Sequence, residues 1–159
     1  MKYIIYLLMF PFLFTSCKTN TSITSKTNSN SLADKIVTSA IKHIGVPYKM
    51  AGKSPSGYDC SGLVYSTFGE FNIPVPRTSF DQATVGKSLG KNINKATKGD
   101  LIFFKTNNSS RINHVGIITE NKEDEIKFIH SSTSRGVIIS STKESYYEKS
   151  FTQINRILE

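Results

Sequence analysis

Cysteine is scarce in this sequence: 159 residues hold two, Cys17 and Cys60. Two cysteines cannot build a disulfide scaffold, although a single bridge would be open to an exported chain. No run of five like charges occurs, so no polyelectrolyte tail is present. The longest apolar run, Tyr3 to Phe14, has about 12 residues, short of the roughly 20 that span a bilayer. There is no internal repeat, and the composition excludes collagen and wholesale disorder. Lysine and arginine exceed the acidic residues by 20 to 12, a net charge of +8. The basic residues are scattered and lack a nucleic-acid recognition motif, so nucleic acid is not an expected partner. They read as a solvated basic surface, or as an attraction for an anionic polymer or membrane surface.

What is present begins at the N-terminus. Lys2, the apolar run and Thr15-Ser16-Cys17 follow the order of a secretory signal. The ending resembles a bacterial lipobox, with Phe14 where leucine is usual. That resemblance makes residues 1–17 a lipoprotein signal ending in Cys17, the lipidation site. An ordinary cleaved signal with an incidental cysteine is the alternative. Acyl chains on Cys17 would anchor the chain stably and leave Cys60 a free thiol. Lys18, in place of an aspartate, fits an outer-membrane location facing the periplasm. Residues 18–30, almost wholly Ser, Thr, Asn and Lys, have too little apolar area to offset ordering and read as a flexible tether.

Apolar residues at helical spacing predict a helix from Ser31 to Ile44, and Gly45 can end it. Residues 45–58 read as a loop. Asp59 to Phe71 is a second amphipathic stretch with Cys60 in its first turn, and a short helix is expected over Ser79 to Val85. The period then changes. Leu101–Phe104, His114–Thr119, Ile126–His130, Gly136–Ser140 and Phe151–Ile157 read as strands, with a helical turn at Tyr146 and Tyr147. Helices followed by strands imply an α+β domain on an antiparallel sheet. The charged segment Asn121–Glu125 is expected to lengthen a hairpin.

Three segments carry chemistry: Asp59-Cys60-Ser61-Gly62 at a helix start, Asn113-His114-Val115-Gly116 at a strand start, and Phe128-Ile129-His130 at a strand end. A thiol attacks as its thiolate, which a helix N-terminus and a nearby imidazolium favour. Cys60 is the candidate nucleophile, His114 its base and His130 the neutral group that orients the base. The Cys60 backbone N–H and the Tyr48 hydroxyl are candidates for an oxyanion hole. A zinc site of Cys60, His114 and His130 lacks short ligand spacing and would consume the nucleophile. His43 reads as a surface or packing residue, Asp100 as a turn or capping residue. Phe103, Phe104, Tyr146 and Tyr147 read as core or rim.

The segments GVPYKMAG (45–52), YDCSGLV (58–64), IPVPRTSFDQ (73–82), KGDLIFF (98–104), NHVGIIT (113–119) and FIHSSTSRGVIIS (128–140) together resemble the NlpC family of papain-like cell-wall cysteine peptidases. Within it the chain looks most like the small murein-endopeptidase lipoproteins. The resemblance implies a papain-like NlpC domain over residues 31–159. It also implies hydrolysis of peptidoglycan stem-peptide amides, at a D-glutamyl–diamino acid or a D-alanyl–diamino acid bond, through a thioester. No metal or cofactor is implied, and the chain is expected to be a monomer. Cys60, His114 and His130 match the catalytic positions and Tyr48 the oxyanion tyrosine. Asp59 and Ser61 match positions that may bind the substrate's free amine. Arg77 is either a substrate contact or a structural arginine bonding loop carbonyls. Met50-Ala51 replaces the aromatic-glycine pair that often follows the tyrosine. A wall-binding lipoprotein without catalysis and an acyltransferase or amidase on the same fold are the rival readings.

Overall fold

The aromatic and aliphatic side chains best shielded from water come from the strands and two helices, and a computed structural model describing residues 22–158 shows how these stack.

The first helix, α1, runs Ser22–Ile41 and turns at 42–45. It begins upstream of the expected Ser31, so the segment read as a tether is helical backbone from Ser22 onward. The signal, Cys17 and residues 18–21 lie outside the described residues. Ile36, Val37 and Ala40 bury one face of α1. The loop that follows contains a small hairpin, β1 (Lys53–Ser54) and β2 (Gly57–Tyr58). Next come α2 (Cys60–Gly69) and the single turn α3 (Ser79–Gln82), both capped at their N-termini by the preceding side chain, Asp59 or Thr78. The strands are β3 (Lys87–Gly90), β4 (Leu101–Phe104), β5 (His114–Lys122), β6 (Glu125–Ser132), β7 (Gly136–Ser141) and β8 (Phe151–Arg156). A short helix, α4 (Ser145–Ser150), precedes β8. The six strands form one sheet in the order β3-β8-β4-β5-β6-β7, with every pairing antiparallel. This is the expected α+β architecture. The charged segment does lengthen the β5–β6 hairpin, pairing Lys122 with Glu125.

Alternation along β4 gives the sheet its two apolar faces. Leu101 and Phe103 join α1 and α2 in one core with Leu63, Val64, Phe68, Val115, Ile117 and Ile129. Ile102 and Phe104 face the other side, with Ile118, Phe128, Tyr147 and Ile154. Asp100 caps the turn before β4, accepting from the Thr97 N–H at 2.8 Å. It also holds Arg156 of β8 through Nε at 3.0 Å and Nη2 at 2.8 Å. Among the described residues, no helix is long and apolar enough to cross a membrane.

Candidate active site

Asp59 sits in extended backbone just before α2, and its Oδ1 accepts from the Gly62 N–H at 2.6 Å. This cap fixes where the helix starts and therefore puts Cys60 at its first position. Packing fixes how close α2 comes. A Cβ at Gly62 would fall on the Gly52 carbonyl oxygen, so the hairpin loop can lie against the helix only because that side chain is absent. The Cys60 thiol donates to the Asn113 carbonyl at 3.9 Å. If ionised it would accept from the Val115 N–H. The sulfur therefore lies against the residues on either side of His114, at the mouth of β5.

His114 and His130 come together across β5 and β6. The register pairs Ile117 with Ile129 and Ile118 with Phe128, which puts Gly116 opposite His130 and His114 on the diagonal. A Cβ at Gly116 would lie 2.7 Å from the Phe128 ring and 3.3 Å from His130 Cβ. The glycine leaves the opening across which His114 Nε2 meets His130 Nδ1 at 2.9 Å. His130 is fully buried, and its other nitrogen, Nε2, meets the Tyr147 hydroxyl at 3.2 Å. Phe104 and Phe128 pack against these rings, with centroids 5–6 Å apart as in the 5.1 Å Phe128–His130 contact.

Burial governs the charges. It pushes the Cys60 thiol up to about 11, and the Asp59 carboxylate adds to that. The N–H groups of Val115, Ser61 and Cys60 pull in the opposite direction. Burial lowers His114 to about 4. His130 is lowered further, to about 2, by burial first and then by His114 and Arg135. Burial therefore disfavours the charged form of the thiol and of both imidazoles.

Tyr48 is half-buried in the loop bridged to Tyr58. Burial raises its hydroxyl's pKa, and ionised Cys60 and Asp59 would raise it further. It therefore stands near the thiol as a protonated donor. Arg77 forks onto Asp59, with Nη1 to Oδ1 at 3.0 Å and Nη2 to Oδ2 at 2.7 Å. It also donates to the Ser61 hydroxyl at 3.0 Å and the Gly52 carbonyl at 3.3 Å, which matches the structural reading of this arginine. Ser61 is buried, and its hydroxyl donates to Asp59 Oδ1 at 3.2 Å. His43 packs edge-on against Tyr58, a packing role as expected. Among the described residues no cluster of three or more His, Cys, Asp or Glu side chains could hold a metal ion.

The structure thus brings Cys60, Tyr48, Asp59, Ser61 and Arg77 to one helix start, facing the His114–His130 pair. Comparison with known proteins gives the arrangement its family: the NlpC/P60 family matches residues 45–156. The chain belongs to that family. A probable endopeptidase of Haemophilus influenzae is 46% identical over 114 residues, 71% of this chain and 67% of that protein. The murein DD-endopeptidase MepS/murein LD-carboxypeptidase of Escherichia coli K12 is 42% identical over 115 residues, 72% of this chain. The match spans 57% of that relative's length. The crystal structure of an NlpC/P60 family protein from Bacillus cereus superposes with a TM-score of 0.72 at 29% identity, covering 80% of this chain and 40% of that one.

One site residue was not legible as such from the sequence. Tyr147 reads as core, and its ring does lie in the core. Its hydroxyl, however, ends on His130.

Proposed function

We propose that this chain is a cysteine peptidase that hydrolyses amide bonds in peptidoglycan stem peptides. One observation carries the reading: a free thiol at a capped helix start lies against the strand whose first residue, His114, is hydrogen-bonded to a buried second histidine. The naming of the E. coli relative as a murein DD-endopeptidase favours the D-alanyl–diamino acid crosslink over the D-glutamyl bond.

The proposed steps are these. With Nε2 engaged by His130, His114 takes the thiol proton on Nδ1 as the sulfur attacks the amide carbonyl. The Cys60 N–H and the Tyr48 hydroxyl hold the developing oxyanion. The C–N bond breaks, His114 returns the proton to the leaving amine, and a thioester remains on Cys60. Water, deprotonated by His114, then attacks the thioester, releasing the carboxylic acid and restoring the thiol. Asp59 Oδ2 accepts from Arg77 alone, so it is the acceptor left for a substrate amine. Ser61, turned onto Asp59 and Arg77, acts through Asp59. Cys17 carries the lipid, which holds the enzyme, a monomer, in the cell envelope at the periplasmic face of the outer membrane.

The test is incubation of purified peptidoglycan with the wild-type chain and with Cys60→Ala, followed by mass spectrometry of the released fragments. Wild-type protein releases fragments with new amine and carboxyl termini, and the variant releases none. Equal release by both would refute the nucleophile. No release by either would transfer the reading to a wall-binding role. Palmitate-analogue labelling with and without Cys17→Ala tests the anchor.

A further inference from the structure

The two histidines leave a question of proton placement that the fold answers through a third side chain. Each neutral imidazole carries one N–H, so the 2.9 Å bond between His114 Nε2 and His130 Nδ1 can be drawn in two ways. In one, His114 donates from Nε2 and keeps Nδ1 free to take the thiol proton. In the other, His130 donates from Nδ1, and the proton of His114 sits on Nδ1, where it blocks the base. The choice is set at the far end of the chain. His130 Nε2 lies 3.2 Å from the Tyr147 hydroxyl. If that hydroxyl accepts, His130 is protonated at Nε2 and bare at Nδ1, and the productive form follows.

We propose that Tyr147 is a positioning residue whose hydroxyl accepts from His130 Nε2–H and so holds both histidines in the tautomer that leaves His114 Nδ1 free. This rests on the reading of His114 as the base.

The surroundings support acceptance over donation. To accept, the phenol needs somewhere to send its own proton. The buried Ser140 hydroxyl lacks a hydrogen-bond partner among the described residues. It lies near Tyr147, so its oxygen is an acceptor within reach of the phenol proton. Ser140 pairs with Phe128 in the β6–β7 register, and His130 pairs with Ile138, so Ser140 and His130 share the sheet face that Tyr147 covers. Tyr147 is itself buried, at 5% exposure, and α4 holds it there with its N–H bonded to the Glu144 carbonyl at 2.9 Å. Water therefore does not compete for its hydroxyl. The same arrangement suits the imidazolium step. Once His114 is doubly protonated, its Nε2–H needs an acceptor, and a His130 fixed as Nε2–H supplies one.

The experiment uses the full chain labelled with 15N in its three histidines. Long-range proton–nitrogen correlation spectra at pH 7 distinguish a protonated ring nitrogen from a bare one. Wild-type His130 and His114 are each expected as the Nε2–H form. Tyr147→Phe keeps the ring and removes the hydroxyl. It is expected to populate the Nδ1–H form of His130 and to lower kcat on soluble muropeptides about tenfold, with KM nearly unchanged, the scale of one lost buried hydrogen bond. Ser140→Ala is expected to shift the same tautomer in the same direction. Finding Nδ1–H on His130 in the wild type would overturn the proposal, whatever the variants do. So would a Tyr147→Phe protein with an unchanged tautomer and unchanged kcat. The spectra need no turnover, so they stand or fall separately from the assignment of substrate.

Discussion

Replacing Asp59 should weaken the fold and sharpen the thiol at once. Its carboxylate does two structural jobs: it caps α2 through the Gly62 N–H, and it takes two hydrogen bonds from Arg77. Loss of an N-cap costs about 1 kcal/mol. The Arg77 pair is partly open to water, with side-chain exposures of 32% and 15%, so its worth is discounted to about 1 kcal/mol. Asp59→Ala should therefore lose about 2 kcal/mol, a fall in Tm of roughly 8 °C for a domain of this size. Asp59→Asn keeps an oxygen for Gly62 and should lose about half as much. The thiol responds in the opposite direction. Asp59 is the second cause, after burial, of the raised Cys60 pKa. Removing its charge also leaves the nearby Arg77 guanidinium unneutralised. Both changes favour the thiolate, so iodoacetamide should alkylate Cys60 faster at pH 8. Thermal unfolding and alkylation kinetics, both in a Cys17→Ala background, read the two effects. Equal destabilisation by Asn and Ala would refute the capping argument, and unchanged or slower alkylation of Asp59→Asn would refute the electrostatic one.

Two further outcomes follow. Burial holds folded His114 near 4, below the ordinary 6.5, so between those values the unfolded chain binds a proton that the folded chain does not. Stability is therefore full above about pH 6.5 and falls as pH drops toward 4, with about 2 kcal/mol lost by pH 5 through His114 and a similar loss through His130, which burial lowers further. Urea titrations at pH 7 and pH 5 should show this, and His114→Asn should remove about half of the difference. Separately, Asp100 is 2% exposed and paired with Arg156. Arg156→Ala strands that charge and should cost about 3 kcal/mol, part of which returns when Asp100→Asn is added. An Arg156→Ala protein within about 0.5 kcal/mol of wild type in urea would contradict the pairing.

Legibility in the sequence tracked burial. The run Leu101–Phe104 is buried on both faces, and the helix from Cys60 buries Leu63, Val64, Thr67 and Phe68. Both therefore left a period to read. β3 did not. It is an edge strand with exposed or half-exposed residues, Lys87 to Gly90, so no face of it alternates. The start of α1 was missed for a related reason: residues 22–30 show no apolar spacing, and the readable stripe starts at Leu32. β1 and β2 have two residues each, too few for any pattern. Among the site residues, Cys60, His114 and His130 could be picked out because residue type and order suggest chemistry. The contacts of Tyr147 and Arg156 could not, because their partners lie 17 and 56 residues away along the chain. Gly116 was visible in the His-Val-Gly segment, but its purpose appears only once the register sets it opposite His130.

The charge states impose an order on the chemistry. Burial raises the Cys60 thiol and lowers His114, so it penalises each charge formed singly. In the proposed attack both charges form together, and the fold provides for each. The thiolate gains the N–H groups of Val115, Ser61 and Cys60 and the positive end of α2. The imidazolium gains His130 Nδ1 as an acceptor. In the proposed mechanism proton transfer is therefore coupled to bond formation at the substrate carbonyl, since the negative charge then moves from sulfur to the oxyanion near Tyr48. A carboxylate at position 130 would raise the pKa of His114, whereas His130 supplies an acceptor without a charge.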